Sequence, residues 1–227
     1  MKKVIESCDL KSCYMCRRCI NSWIPAIESH RQNILLKKGA AVFEEGDPVK
    51  GIYFLLKGKI KVHKRWGNEK QFILQFAKEG DVIGYTGFGN EQVYSVSAIT
   101  LEKVNLCFID ASFFTATLQV NDNLAYSLLQ FYAIQLRQME KRMGNLIHID
   151  VRGRIADTLL MLKKGFGQNA KGILNIRLTK KELASYSGTT YETFSKMISQ
   201  LEKERLISLS GKDIAILEES ELVRLTS

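Results

Sequence analysis

Four cysteines lie within twelve residues near the start of the chain, in the stretch CDLKSCYMCRRC. They are Cys8, Cys13, Cys16 and Cys19, with the spacing C-x4-C-x2-C-x2-C. Thiolates spaced as C-x2-C-x2-C can wrap a cubane iron–sulfur cluster. The fifth and last cysteine, Cys107, lies far along the chain in VNLCFID. Clustered thiols in a chain without other signs of secretion predict metal or redox chemistry over structural disulfides.

Two other chemistries use the same residues. Structural zinc also takes four thiolates, usually as two C-x2-4-C pairs separated by a longer loop, so four ligands in twelve residues would be cramped. A reversible thiol–disulfide switch needs exposed thiols of low pKa. Cys107 taken alone is typical of a small buried strand residue. Zinc ranks second and the thiol switch third, and both stay open.

Composition and charge favour a nucleic-acid partner. The 227 residues carry a formal net charge of +9, with 45% hydrophobic and 25% charged residues. An excess of Lys and Arg suits a polyanion, nucleic acid before membrane. The N-terminus MKKVIESCDL has no apolar core of a signal peptide, and no apolar run approaches the roughly 18 residues that span a bilayer. We therefore expect a cytoplasmic protein that does not enter the membrane.

The first half of the chain has a β pattern. Nine of the sixteen glycines fall between Gly39 and Gly89, and short apolar runs lie between and after them. These runs are IYFLL (52–56), KIKVH (59–63), QFILQF (71–76), YSVSAI (94–99) and VNLCFID (104–110). Short strands separated by glycine turns are typical of an all-β sandwich or barrel.

A helical pattern begins near Leu118. A seam with the spacing 3, 4, 3, 4, 3, typical of coiled coils, comprises Leu129, Tyr132, Leu136, Met139, Met143 and Leu146. A second apolar face comprises Leu124, Leu128, Phe131 and Ile134. One face can pack on the β domain while the other meets a partner helix, so the pattern favours a homodimer.

Residues 179–207 predict two short helices joined by a turn. Thr179 is followed three residues later by Glu182, and Thr189 by Glu192, so each pair predicts a capping box at a helix start. Gly188 between them allows a tight turn. Upstream, residues 151–164 predict another helix and ILNIRL a short strand. Two helices around a glycine turn predict a helix-turn-helix.

The second of these helices has the features of a recognition helix. Phe194, Ile198 and Leu201 share one face, and ISLSGKDIAIL (207–217) predicts the two strands of a wing. The opposite, N-terminal end is where such a helix meets base edges. We expect DNA contacts from Thr179, Lys180, Thr190, Tyr191, Glu192, Ser195 and Lys196. Nothing in the sequence supplies a nucleotide-cofactor loop or a catalytic triad, so an enzyme is not expected.

The chain resembles the CRP/FNR superfamily of bacterial transcription regulators in FEEGDPVKGIYFLLKGKIKV (43–62), GDVIG (80–84) and TYETFSKMISQLEKERLIS (190–208). The resemblance implies an α+β fold with three parts. These are an N-terminal β-roll similar to the cyclic-nucleotide-binding jelly roll, a long dimerisation helix and a C-terminal winged helix-turn-helix. It places a cysteine-containing segment at 1–30, the β-roll at 31–118, the dimerisation helix at 119–149 and the DNA-binding domain at 150–227.

The resemblance also implies a DNA site. In this family E-x-x-x-[RK] on the recognition helix reads a TGA-type core, and Glu192 and Lys196 fill those places. Ser195 matches the serine that the oxygen-sensing FNR branch carries before the basic residue. We expect double-stranded DNA with inverted TTGAT-like half-sites, and RNA polymerase as a partner. Lysine replaces the commoner arginine and lacks its bidentate fork, so base discrimination should be weaker or water-mediated.

The cyclic-AMP branch of the family binds phosphate through G-E and R-S motifs. Here Tyr85 stands where the glutamate belongs, and no arginine occurs from Trp66 to Leu136. The lysines of this region lie away from the motif's place and are Lys70, Lys78 and Lys103. A buried anion needs a paired cation or several donors, so cyclic AMP is not expected. A different small molecule in the β-roll remains the alternative signal.

Oxygen sensors of the FNR type use three N-terminal cysteines and one distant cysteine on the β-roll. Cys107, in C-F-I-D, is similar to the C-x-I-P around that distant ligand. The resemblance therefore implies a [4Fe–4S] cluster on Cys13, Cys16, Cys19 and Cys107, with Cys8 as the spare or alternate ligand. The last N-terminal gap has two residues where that branch has five. The implied signal is oxygen or redox state.

Overall fold

The computed structural model describes residues 13–67, 70–88 and 92–226. The chain divides into two units, Met1–Gln135 and Leu136–Ser227. Strands predominate in the first unit and helices in the second.

Eight strands of the first unit form two four-stranded antiparallel sheets. Across the first sheet the order is β1 (Gln32–Leu36), β8 (Val104–Asp110), β3 (Gly51–Lys57) and β6 (Val82–Ile83). Across the second sheet it is β2 (Ala41–Phe43), β7 (Ser97–Thr100), β4 (Ile60–Trp66) and β5 (Lys70–Ala77). The glycine-separated apolar runs thus form the predicted β-roll.

Alternation along the strands gives the first sheet two apolar faces. Tyr53 and Leu55 of β3 enter a core that residues of both sheets share, whereas Ile52 and Phe54 point to the opposite face. Side chains of successive strand residues point to opposite faces, so one strand supplies both cores. The second core is the one that contains Cys107 of β8.

The strand predicted at YSVSAI (94–99) begins only at Ser97. The backbone N–H of Tyr94 donates to the oxygen of Asp47 at 2.9 Å, and the N–H of Gly46 donates to the oxygen of Tyr94 at 2.9 Å. The predicted strand start was wrong because a loop takes up these hydrogen bonds of Tyr94 before the β7 ladder begins.

Three helices belong wholly or partly to the first unit: α1 (Ile24–His30), α2 (Ala111–Val120) and α3 (Asp122–His148). Asp110 caps α2 because its side chain accepts a hydrogen bond from the N–H of Ser112. Asn121 separates α2 from α3 with φ −122° and ψ 83°, outside the helical region. The helices that follow the β-roll strands therefore begin at Ala111, earlier than the predicted start near Leu118.

The long helix α3 has 27 residues and crosses the boundary between the two units. Its buried residues, Leu124 and Leu128, lie near its start and join the core that contains Cys107. Within the described ranges, no helix is both long and apolar enough to cross a membrane.

The second unit has the predicted winged helix-turn-helix. Its helices are α4 (Val151–Phe166), α5 (Lys180–Tyr186), α6 (Tyr191–Lys203) and α7 (Glu219–Arg224), and its wing strands are β9 (Ile207–Ser210) and β10 (Asp213–Ile216). The strand predicted at ILNIRL is absent from the described structure. That segment instead makes isolated bridges, Gln168 with Leu174 and Ile173 with Ala215.

Candidate functional site

The described cysteines lie in or against one core of the first unit, the one that contains Cys107, here named the cysteine core. Cys13 and Cys16 are each 4% exposed and Cys107 is 1% exposed, and all three belong to the second core of the first unit. Cys19 is partly buried and packs against the same core. Cys8 lies outside the described residues. The four cysteines that the family resemblance implies as ligands therefore lie in or against one core.

Different elements position these thiols. Cys107 lies in the middle of the first sheet, where β8 pairs with both neighbours and Cys107 is opposite Asn33 of β1 and Phe54 of β3. The N-terminal thiols lie in residues 13–23, here named the cysteine segment, which contains a 3₁₀ turn at Cys16–Arg18. Met15, fully buried, anchors that segment in the core.

Burial sets the chemistry of the thiols. The pKa of Cys19 is raised to about 11, first by burial and then by the charge of neighbouring Cys13. The guanidinium of Arg18 lies over the ring of Tyr14, 3.8 Å from its centre, and burial lowers the pKa of that arginine. Thiolates at this site would therefore need compensation from a bound cation or cluster.

The donor set is four thiolates, which suits an iron–sulfur cluster or zinc in kind. In the described parts of the chain, however, no three histidine, cysteine or carboxylate side chains lie close enough together to hold a metal ion. Shared burial in one core is thus what the structure supports, short of assembled coordination.

Tyr85 is buried at the place where the cyclic-AMP branch has its glutamate. Its ring meets Phe131 edge to face, with centroids 4.9 Å apart, and Tyr132 donates a 2.7 Å hydrogen bond to its backbone oxygen. Burial raises the pKa of Tyr85 to about 12, so the phenol stays neutral. A neutral, packed phenol cannot supply the charge that a cyclic phosphate requires.

The described lysine side chains between Trp66 and Leu136 do not replace that charge. Lys78 and Lys103 are exposed, and the side chain of Lys70 lies outside the described part of the structure. Tyr94 is also buried, and its hydroxyl donates a hydrogen bond to the backbone oxygen of Gly51 at 2.7 Å.

The recognition helix has the predicted core face. Phe194, Ile198 and Leu201 are all buried. Its N-cap is Thr190, whose Oγ1 accepts from the N–H of Thr193 at 3.2 Å. The predicted Thr189 capping box was therefore wrong. The turn ends one residue later, because the N–H of Thr189 is bonded to the oxygen of Ala184 at the end of the preceding helix.

Five of the seven proposed DNA-contacting residues lie at the N-terminal end of α6, and Thr179 and Lys180 lie at the start of α5. Tyr191, Glu192 and Lys196 are exposed, and Ser195 is partly buried with its Oγ lacking a hydrogen-bond partner. Thr179 is engaged in the predicted capping box with Glu182, whereas Lys180 at the start of α5 is exposed. A carboxylate, a lysine and an aromatic ring presented together suit the major groove.

The predicted dimer seam is mostly exposed. Leu129, Leu136 and Met143 are 60% or more exposed, and Met139 is 43% exposed. Tyr132 and Leu146 are used within the chain: Tyr132 packs beside Tyr85, and Leu146 lies against the turn glycine Gly188. Of the predicted second face, Leu124 and Leu128 are buried and Phe131 packs against the cysteine core, whereas Ile134 is 51% exposed.

Several contacts escaped the sequence patterns. Asn121 is 1% exposed and bonds the cysteine segment, and Arg142 and Arg154 bond the helix-turn-helix turn. A polar residue at a helix junction is a signal for Asn121, but the spacing of the arginines gives none.

Comparisons with known proteins agree with this architecture. Residues 34–121 match the model of the cyclic nucleotide-binding domain family, and residues 153–225 match the Crp-like helix-turn-helix domain. The chain is 30% identical over 181 residues to the cAMP-activated global transcriptional regulator CRP of Salmonella typhimurium, covering 78% of this chain and 85% of that protein. It is 28% identical over 205 residues to the CRP-like cAMP-activated global transcriptional regulator of Mycobacterium tuberculosis, covering 89% and 92%.

Solved structures share the fold. The structure of FixK2 from Bradyrhizobium japonicum has a TM-score of 0.77 and 21% identity, covering 87% of this chain and 98% of that one. A CRP/FNR-family regulator from Eubacterium rectale has a TM-score of 0.77 and 16% identity, covering 95% and 99%. At these identities the likeness supports the fold alone.

Proposed function

This chain belongs to the CRP/FNR superfamily of DNA-binding transcription regulators, and on that premise we propose that it reads an oxygen or redox signal through its cysteines. The ligands would be Cys13, Cys16, Cys19 and Cys107, and the cofactor a [4Fe–4S] cluster. When bound, such a cluster supplies a centre that oxygen or nitric oxide destroys.

One observation carries the proposal: Cys107 of the first sheet shares a core with the cysteine segment. Three of the four thiols are almost fully buried, which protects a cluster from bulk water. Arg17 and Arg18 end the 3₁₀ turn between the thiols and supply positive charge against a thiolate-ligated cluster.

The alternatives that use the same thiols are weaker. A metal-free thiol switch needs exposed thiols of lowered pKa, whereas burial raises the pKa of Cys19 to about 11. Zinc is the second candidate because it accepts the same donors, and the iron, zinc and sulfide content of anaerobically purified protein separates the two.

A β-roll ligand is the other rival. The relatives from Salmonella typhimurium and Mycobacterium tuberculosis are named as cAMP-activated. In this chain Tyr85 packs on Phe131 and Tyr132 of α3, so side chains make the contact between β-roll and helix. This packing and the absence of arginine from the region argue against a cyclic phosphate as the signal.

We further propose that the protein acts as a cytoplasmic homodimer on inverted TTGAT-like half-sites and contacts RNA polymerase. The exposed seam Leu129, Leu136, Met139 and Met143 would join the protomers. Glu192 can accept a hydrogen bond from cytosine N4, and Lys196 can donate to guanine O6 or N7. Lys180 would contact phosphate.

Strictly anaerobic purification tests the cofactor. Iron, zinc and acid-labile sulfide per protomer and the visible spectrum would be measured before and after air, with fluorescence anisotropy on an inverted-repeat duplex. We expect about four iron and four sulfide, with both the absorption and specific DNA affinity lost in air. Cys16→Ser should remove the iron and the response while the winged helix stays folded.

Protein that holds no iron after anaerobic purification and reconstitution with ferrous iron and sulfide contradicts the cluster. Stoichiometric zinc in its place would identify the second candidate. A normal air response from Cys16→Ser would exclude the cysteines as the sensor, and the signal would then be sought in the β-roll.

A further inference from the structure

A buried amide joins the cysteine segment to the junction of α2 and α3. The N–H of Ile20, the residue after Cys19, donates to Oδ1 of Asn121 at 2.8 Å. The amide nitrogen of Asn121 donates to the oxygen of Thr117 at 2.8 Å, at the end of α2. Its backbone oxygen accepts from Leu124 in the first turn of α3. The side chain of Asn121 therefore joins the cysteine segment to the end of α2, and its backbone oxygen adds the first turn of α3.

Tyr14 makes a second tie to the long helix. Its hydroxyl donates to the backbone oxygen of Ser127 at 2.9 Å. Its ring meets Phe131, one helical turn further along α3, edge to face with centroids 5.9 Å apart, and stacks beside Phe54 of β3. Tyr14 follows Cys13 directly, so any displacement of that cysteine must move this ring.

A third set of contacts fixes the end of the segment on α2. The indole N–H of Trp23 donates to Oγ1 of Thr117 at 3.1 Å, and its ring stacks on Phe113. His30 of α1 also stacks on the ring of Phe113, with ring centroids 4.0 Å apart. This end can therefore stay in place while residues 13–20 move.

We propose that Asn121 and Tyr14 are positioning residues through which the state of the cysteine segment sets the start of α3. The inference rests on the proposed function of the cysteines as ligands. When the cysteines of the segment are ligated, Ile20 and Tyr14 would hold the first turns of α3 through these bonds. When the cysteines are released, Ile20 would withdraw and leave the buried amide oxygen of Asn121 unpaired, so the junction would rearrange.

The consequence for function follows from the position of α3. Its first turns carry Leu124 and Leu128 in the cysteine core, and its next residues begin the proposed dimer seam at Leu129. A packed core has discrete arrangements, so a change at Asn121 selects between arrangements of the seam. The proposed dimer, and with it the spacing of the recognition helices, would respond.

Two variants with matched controls test this coupling. Asn121→Ala removes the buried amide, and its control Asn123→Ala changes an exposed asparagine two residues on. Tyr14→Phe removes only the hydroxyl, and its control Tyr126→Phe changes a tyrosine that is 63% exposed. For each, iron and sulfide per protomer and the ratio of anaerobic to aerated DNA affinity are measured.

We expect Asn121→Ala and Tyr14→Phe to keep wild-type iron while the affinity ratio falls toward one, from a wild-type value in the usual allosteric range of about 5- to 150-fold. The controls should keep the wild-type ratio. A residue that merely supported the fold would not separate iron content from response. An unchanged ratio in both variants, or loss of iron from both, overturns the inference. If only Asn121→Ala loses iron, Tyr14→Phe decides.

Hydrogen exchange distinguishes failure of this inference from failure of the cluster. If the wild type holds no iron, the proposed cofactor is wrong, and with it the release of Ile20 on loss of ligation. The hydrogen bond between Ile20 and Asn121 can still be tested in that protein. Asn121→Ala should then speed amide exchange in residues 16–23 and also in the first turns of α3, residues 124–128. Faster exchange in residues 16–23 alone would overturn the coupling.

Discussion

The guanidinium of Arg142 lies over the ring of Tyr186, 4.3 Å from its centre, and its Nη2 donates a 2.7 Å hydrogen bond to the backbone oxygen of the same residue. Tyr186 ends α5, where helix carbonyls lack partners within the helix. Arg154 of α4 donates to the next two carbonyls, those of Ser187 and Gly188. Two arginines thus donate hydrogen bonds to three successive backbone oxygens in the turn of the helix-turn-helix.

Replacing Arg142 with methionine should destabilise the DNA-binding unit. The substitution removes a hydrogen bond from a charged donor to the partly buried oxygen of Tyr186, and such bonds contribute about 1.5–3 kcal/mol. Urea unfolding monitored by circular dichroism measures the change. Arg137→Met, at an exposed position of the same helix, is the control. Equal unfolding midpoints for the two variants would show that this contact adds nothing to stability.

Cys107→Ser should abolish stable iron binding, because it removes the one proposed ligand that the β-roll supplies. Cys8→Ser should leave iron and sulfide at wild-type values, since Cys8 is the proposed spare. Both are measured after anaerobic reconstitution, with thermal unfolding to check the fold. Full iron content in Cys107→Ser, or its loss in Cys8→Ser, would mean that the ligand set is wrong.

The thiol of Cys19 should react slowly in metal-free protein. Burial raises the pKa of Cys19 to about 11 from its ordinary value of 9.0, so near neutral pH the reactive thiolate is about a hundredfold scarcer than in an unfolded chain. Because the pKa of Cys19 is higher in the folded than in the unfolded chain, the shift stabilises the folded state below pH 9. That stabilisation is lost as the pH rises through 11. Iodoacetamide labelling followed by peptide mass spectrometry gives the rate. Labelling as fast as in urea at pH 8 would refute the shift.

Lys196→Ala should weaken specific DNA binding and relax base preference at one position of each half-site. Loss of a base contact costs about 1–3 kcal/mol, whereas loss of a phosphate contact weakens all sequences alike. Competition anisotropy with duplexes altered at single bases separates the two. Lys203→Ala, at the far end of the recognition helix, should keep the preference. An unaltered ranking of duplexes in Lys196→Ala would remove this residue from base reading.

Leu136→Glu should convert the dimer to monomers, because it places a charge in the exposed apolar seam. Gln138→Glu introduces the same charge at an exposed position outside the seam and should leave the dimer intact. Sedimentation velocity at micromolar concentration measures both. A dimeric Leu136→Glu protein would place the interface elsewhere on the chain.

Local patterns predicted the DNA-binding unit well because its signals are short in sequence. The spacing of Phe194, Ile198 and Leu201 identified the buried face, since helical period alone decides which residues share a side. The same patterns missed the true N-cap by one residue. Thr189 and Thr190 both fit as caps, and only the hydrogen bond from Thr189 to Ala184 determines which one begins the helix.

Helix periodicity likewise could not decide which apolar residues of α3 are covered. Leu124 and Ile134 fit the same predicted face, yet one is fully buried and the other is half exposed. Burial of an α3 residue depends on whether the β-roll and the cysteine segment pack over it, and the tertiary structure decides how far along the helix that packing extends.

The sequence by itself determined the thiol spacing, the recognition helix and the absence of arginine from the cyclic-phosphate region. It also carried the family resemblance that made Cys107 a candidate ligand. Only the tertiary structure decided that Cys107 shares a core with the cysteine segment, and that Asn121 ties that segment to α3. The physical reason is separation: strand pairing brings together residues far apart in the chain, and no local period records which ones will meet.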